Sequence, residues 1–154
     1  MEIEKHIVIF DLDGTLALID DRRQLSIKTN GKMDWDIFFD PKNISLDKPN
    51  ISVIKMAQSL YDSGHQIVIF SGRSSSTISA TKLWLNKHNV QWHRLFMRPV
   101  KDYTPDDVLK QDWLNDLISD DKKNILCVFD DRQKVVDMWR RNNIPCFQVA
   151  DGNF

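Results

Sequence analysis

Apolar residues along this chain come in two rhythms. Short β-branched or aromatic runs occupy residues 6–10, 66–70, 94–97, 125–129 and 145–149, each about the length of a strand. Between them, apolar positions recur at helical spacing over residues 51–61, 77–87, 106–117 and 134–141. Strand and helix therefore alternate. Continuous apolar strands bury both of their faces, so the pattern predicts an α/β fold: a parallel five-stranded sheet with helices on both faces. Ligands of such sheets bind at the carboxyl ends of the strands. Three of the runs end there on polar residues, Phe10 on Asp11, Phe70 on Ser71 and Phe129 on Asp130.

Residues 16–49 break the alternation. They carry Asp20-Asp21-Arg22-Arg23, a turn signal at Asn30-Gly31 and the aromatic cluster Trp35, Phe38 and Phe39. They predict a small cap inserted after the first strand of a single 1–154 unit, since a chain of 154 residues buries one core comfortably but is short for two full-sized domains. Hydrophobic residues at 42% and charged residues at 28% are ordinary for a soluble globular protein. The 21 Lys and Arg nearly balance the 22 Asp and Glu, so no global field grips a nucleic-acid backbone and any anionic ligand needs a local cluster. No apolar run approaches the roughly 20 residues of a membrane span, and the charged N-terminus leads straight into a strand. Both features predict a cytoplasmic protein with no membrane partner.

Cys127 and Cys146 lie in apolar, β-like segments rather than at ligand spacing, which predicts buried reduced thiols. His6, His65, His88 and His93 are scattered and form no helix-spaced zinc pair. Neither a P-loop nor a dinucleotide fingerprint occurs.

Asp11 and Asp13 stand just past the first strand, and Gly14 permits a tight turn that lets both carboxylates face one pocket. Such a pair serves as nucleophile and acid/base, although Asp-x-Asp-Gly alone is equally a turn or a calcium-loop fragment. Attack of a carboxylate on a phosphate sets two anions against each other. The chemistry therefore needs a cation, and hard oxygen ligands favour magnesium. Asp130 and Asp131 supply more oxygen at a neighbouring strand end. Ser71 with the backbone of Gly72, the Thr15 hydroxyl and a lysine would donate to the phosphoryl oxygens. Lys110 is the candidate lysine, with a solvated helix charge as its plain alternative.

Asp11-Leu12-Asp13-Gly14-Thr15, Ser71-Gly72-Arg73, Lys110 and Asp130-Asp131 resemble, in order, the four motifs of the haloacid dehalogenase superfamily of phosphotransferases. Within it the chain is similar along nearly its whole length to the phosphatase domain of bacteriophage polynucleotide kinase/phosphatase. The similarity is carried by IVIFDLDGTL, QIVIFSGR, PDDVLKQDW and above all FDDRQKVVDMWRRNNIPCFQVADGNF. The resemblance implies a Rossmann-like α/β fold and a magnesium-dependent phosphomonoesterase. In it Asp11 becomes a phosphoaspartate, and Asp13 protonates the leaving oxygen and then activates water. It implies magnesium held by Asp11, the Asp13 carbonyl, Asp130 and Asp131, and phosphate bound by Ser71 and Lys110. Arg22, Arg73 and Asp106 match positions functional in that family, two as anion binders and the third as an acidic partner for Lys110. A surface charge and a helix-flanking role are the plain alternatives for Arg22 and Arg73. Arg98, directly after the third strand, is a candidate substrate-side residue. The family's kinase domain has no counterpart in these residues, which implies a free-standing phosphatase.

Residues 26–49 depart from the family pattern, and there a cap would select the leaving group. Trp35, Phe38 and Phe39 either form the cap's own small core or stack on a nucleobase. Lys28, Lys32, Arg22 and Arg23 are offset by Asp34, Asp36 and Asp40, so no basic stripe runs along a duplex. The expected substrate is a phosphorylated nucleic-acid end, foremost a 3'-phosphate. The alternative is a 5'-nucleotidase acting on free deoxynucleoside monophosphates, and a binding module for phosphorylated ends is the reading outside enzymes.

Overall fold

The structure, a computed structural model, describes residues 4–121 and 124–154. In chain order it contains β1 (Ile7–Asp11), β2 (Ala17–Leu18), α1 (Asp20–Ser26), α2 (Trp35–Phe38), a 3-10 turn over Pro41–Leu46, β3 (Lys48–Pro49), α3 (Ile51–Asp62), β4 (Gln66–Ser74), α4 (Ile78–Lys87), β5 (Arg94–Arg98), α5 (Asp106–Asp121), β6 (Ile125–Asp130), α6 (Gln133–Arg141) and β7 (Cys146–Gln148). The main sheet has five strands in the order β5-β4-β1-β6-β7, every neighbouring pair parallel.

Strand alternation divides the core in two. On one face Val8, Phe10, Ile67, Ile69 and Cys127 pack against Val53, Ile54 and Ala57 of α3 and Trp84 and Leu85 of α4. On the other, Ile7, Ile9, Val68, Phe70 and Val128 pack against Leu109, Trp113 and Leu114 of α5 and Val135 and Trp139 of α6. The central strands β1, β4 and β6 thus read as unbroken apolar runs because both of their faces are covered, whereas the edge strands β5 and β7 are only partly buried. Among the described residues, no helix is long and apolar enough to cross a membrane.

After β1 the chain builds β4 and β5 on one side and then crosses to build β6 and β7 on the other. The order reverses beside the carboxyl end of β1, and a crevice opens at such a switch point. Register sets the residues there: Asp11 pairs with Phe70 of β4, so Ser71 lies one step beyond, while Phe10 pairs with Phe129 of β6. β4 runs on to Ser74, past its predicted end at residue 70, with a register shift against β5 between Ser71 and Ser74. The segment after β1 returns through β2 and β3, whose antiparallel pairs Ala17–Pro49 and Leu18–Lys48 close its base.

Candidate active site

The sheet edge brings three carboxylates together. Asp11 ends β1, Asp130 ends β6 and Asp131 follows it; all three are buried, and one oxygen of each lies within 4.8 Å of the others. Lys110 reaches in from the second turn of α5 and donates to Asp11 Oδ1 at 2.9 Å and Asp130 Oδ2 at 3.0 Å. The Thr15 hydroxyl donates to Asp11 Oδ2 at 2.8 Å, the Asp131 N–H to Asp130 Oδ1 at 2.9 Å, and the Trp139 indole N–H to Asp130 Oδ2 at 3.2 Å. Burial, reinforced by the negative charge of Asp130, pushes the Asp11 carboxyl well above its usual range, against the pull of Lys110. Burial likewise raises Asp131. Burial alone would lower Lys110, but Asp11 and Asp130 outweigh it and hold the amine protonated.

With all three carboxylates ionised, one ammonium would leave two negative charges uncompensated in a low-dielectric site, the cost that the raised Asp11 and Asp131 record. A divalent cation with hard oxygen ligands matches both the charge and the donor set, so the residues fit magnesium.

Asp13 is built into a second network. Arg73 Nε and Arg22 NH2 both donate to Asp13 Oδ1 at 2.8 Å. Both guanidiniums are fully buried, and both also grip Asp47, Arg22 through Nε at 2.9 Å and NH2 at 3.0 Å and Arg73 through NH2 at 2.6 Å. The remaining donors reach the Phe38 carbonyl and the Thr81 hydroxyl. Burial pushes Asp13 up, yet Arg73 and Arg22 overcome it and hold its carboxyl below the usual range. The two arginines expected as anion binders therefore hold a carboxylate of the protein itself.

Asp106, which the resemblance implies as an acidic partner of Lys110, accepts from Arg98 NH2 at 2.5 Å and Arg132 NH1 at 2.6 Å, and its charge helps hold Lys110 protonated. The hydrogen bonds of Lys110 go instead to Asp11 and Asp130. Arg98, expected at the substrate, lines the cavity but also donates to the carbonyls of Gly72, Asp102 and Thr104. Ser71 is buried with its hydroxyl accepting from the Arg73 N–H at 3.2 Å. Gly72 lines the same cavity, and a Cβ there would lie 3.0 Å from Asp106 Oδ1. Asp47, Arg132 and Trp139 escaped the sequence reading. Arg132 had a signal in its place directly after Asp130-Asp131, whereas Asp47 had none.

The model of the polynucleotide kinase PNKP phosphatase domain matches residues 5–154. The chain belongs to that family. A protein of Autographa californica nuclear polyhedrosis virus named "Putative bifunctional polynucleotide kinase/RNA ligase" is 35% identical over 141 residues, which cover 90% of this chain and 18% of the viral protein. A chain of the solved Pnkp1/Rnl/Hen1 complex is 30% identical with a TM-score of 0.75, over 97% of this chain and 48% of that one. This PNKP-type domain thus spans less than half the length of either relative. A haloacid dehalogenase-like hydrolase of Streptococcus pneumoniae shares the fold, with a TM-score of 0.66 at 13% identity over 94% of this chain and 84% of that one. The domain is accordingly a phosphatase of haloacid dehalogenase type, and its sheet is the Rossmann-like α/β sheet of that class.

Proposed function

We propose that this phosphatase removes a 3'-phosphate from a polynucleotide end through an aspartyl-phosphate on Asp11, with magnesium as its cofactor. The observation that carries the reading is the division of labour at the β1 end. Asp11 sits in the carboxylate cluster beside Lys110, while Asp13, two residues on, is held apart between the cations Arg22 and Arg73. Two carboxylates in opposite surroundings suit two roles.

Asp11 attacks phosphorus, and the bond to the ribose oxygen breaks as the new one forms. Lys110, Ser71 and the Gly72 backbone stabilise the charge that spreads over the phosphoryl oxygens. Asp11, the Asp13 carbonyl, Asp130 and Asp131 would hold the magnesium, which would supply the positive charge that lets one anion approach another. Asp13 rests ionised, and the dianionic phosphate arriving beside it favours uptake from solvent of the proton it then gives to the leaving oxygen. Returned to its ionised form, Asp13 takes a proton from the water that hydrolyses the phosphoaspartate. Residues 16–49 serve as the cap that chooses the leaving group.

The test is phosphate release measured side by side on a 3'-phosphorylated oligonucleotide, a 5'-phosphorylated oligonucleotide and free 3'- and 5'-monophosphates. A preference of about a hundredfold for the first, near 2.7 kcal/mol in transition-state binding, is expected. A like preference for free 5'-monophosphates would make the chain a 5'-nucleotidase. Asp11→Asn is expected to abolish turnover with the fold retained, and full activity in that variant would remove the aspartyl-phosphate step.

A further inference from the structure

The cavity that holds Asp11 extends to about 910 Å³, the scale of a whole-ligand pocket and more than a phosphate group fills. Three of its lining residues are exposed aromatic rings, Trp35, Tyr103 and Phe154, the last beside the Arg23 and Arg132 guanidiniums. Trp35, which opens α2, is 57% exposed and lies against Phe39, with centroids 5.7 Å apart and planes 20° from parallel. Phe38 stands edge-on to both rings and is buried beneath the Arg22 guanidinium, 4.4 Å from its centroid. Trp35 is therefore the outer end of an aromatic stack whose inner end touches the arginine that holds Asp13. Tyr103, 87% exposed, lines the same cavity from the loop that Arg98 pins through the Asp102 and Thr104 carbonyls. Exposed Lys101 on that loop and half-buried Arg23 on α1 add positive charge to the lining.

Core packing accounts for Phe38 and for the inner side of Phe39, but leaves Trp35 and Tyr103 in water. An indole held flat against a second ring presents a face that loses little freedom on binding. Flat aromatic faces beside cationic side chains are how single strands are held without reading their sequence.

We propose that Trp35 and Tyr103 form a base-stacking clamp for the last nucleotides of a single-stranded end, with Trp35 as its main platform. The inference rests on the polynucleotide reading above and adds to it a requirement for unpaired bases, because a base inside a duplex has no free face to offer.

Steady-state kinetics of the intact chain with three substrates test it. Trp35→Ala is expected to raise KM for a single-stranded 3'-phosphorylated oligonucleotide roughly tenfold, with kcat within about twofold of the parent. On glycerol 2-phosphate, which has no base, kcat/KM should stay within about twofold. On a blunt duplex bearing the same 3'-phosphate, KM should not respond to the substitution. Trp35→Phe, which keeps a flat ring, should recover most of the loss. No loss on the oligonucleotide, or equal losses on oligonucleotide and glycerol 2-phosphate, would overturn the clamp. Should the parent hydrolyse glycerol 2-phosphate and no oligonucleotide phosphate, the polynucleotide reading fails by itself. The clamp is then decided by intrinsic fluorescence with an oligonucleotide ending in a 3'-hydroxyl: quenching that Trp35→Phe removes keeps it, and the absence of quenching rejects it.

Discussion

Asp47 makes no contact with the carboxylate cluster, yet the site depends on it. It is buried between two buried guanidiniums and supplies the second negative charge that lets Arg22 and Arg73 meet at Asp13. Burial pushes its carboxyl up despite both arginines, which is the mark of a charge kept inside at a cost. Asp47→Ala is expected to lower stability by about 3–5 kcal/mol in a urea titration, because it strands two cations, and to reduce turnover through a loosened Asp13. Asp11→Asn acts in the opposite direction on stability. It removes one charge from three crowded carboxylates, so the metal-free variant should melt no lower than the parent. The cysteines report burial in another way. Burial pushes the Cys127 thiol up to about 11 and Cys146 up to about 12. The reactive thiolate forms only as pH rises towards those values, so alkylation of the native chain at pH 8 should be slow at both sites and become complete in urea.

At the scale of elements, the turn after β1 shows how a local backbone choice reaches the chemistry. Gly14 has φ of +83°, and a Cβ there would fall 2.1 Å from Asp131 Oδ2. Gly14→Ala combines backbone strain with displacement of a cluster carboxylate. It should cut turnover at least tenfold and raise the magnesium concentration needed for half-activity, read from a metal titration of initial rates. The five sheet strands and α3 to α6 were legible in the sequence because continuous apolar runs mark the strands and helical spacing marks the helices, whereas α1, α2, β2 and β3 of the insertion were not. β4 shows where that reading stops: the polar residues 71–74 look like a loop, but they continue the strand because Arg73 finds Asp13 and Asp47 across the site. The motif carboxylates and Lys110 were legible because strand ends announce them. Asp47 was not, since Asp47-Lys48-Pro49-Asn50 reads as an ordinary turn and its partners lie 25 and 26 residues away. Trp35, Phe38 and Phe39 likewise looked alike in sequence, and only packing separates the buried Phe38 from the exposed Trp35.

For the whole molecule, the decisive feature is that the carboxylate cluster bridges two neighbouring strands from distant parts of the chain. Asp11 belongs to β1, and Asp130 and Asp131 to the end of β6, beside the point where the sheet order reverses. A cation held there is bound only when both strands are paired, so its binding free energy adds to that of the fold. Magnesium at about a hundred times its dissociation constant should stabilise the protein by about 2.7 kcal/mol, seen as a rise in melting temperature that EDTA reverses. Activity should vanish with EDTA and return with magnesium. Asp130→Asn removes one ligand from the β6 side and should abolish the rise while leaving the metal-free melting temperature near or above that of the parent, because the repulsion it relieves offsets the hydrogen bonds lost to Lys110 and Trp139. A magnesium-induced rise of equal size in parent and Asp130→Asn would show that the stabilising ion sits elsewhere. The charge left uncompensated around Lys110 would then need another counter-ion.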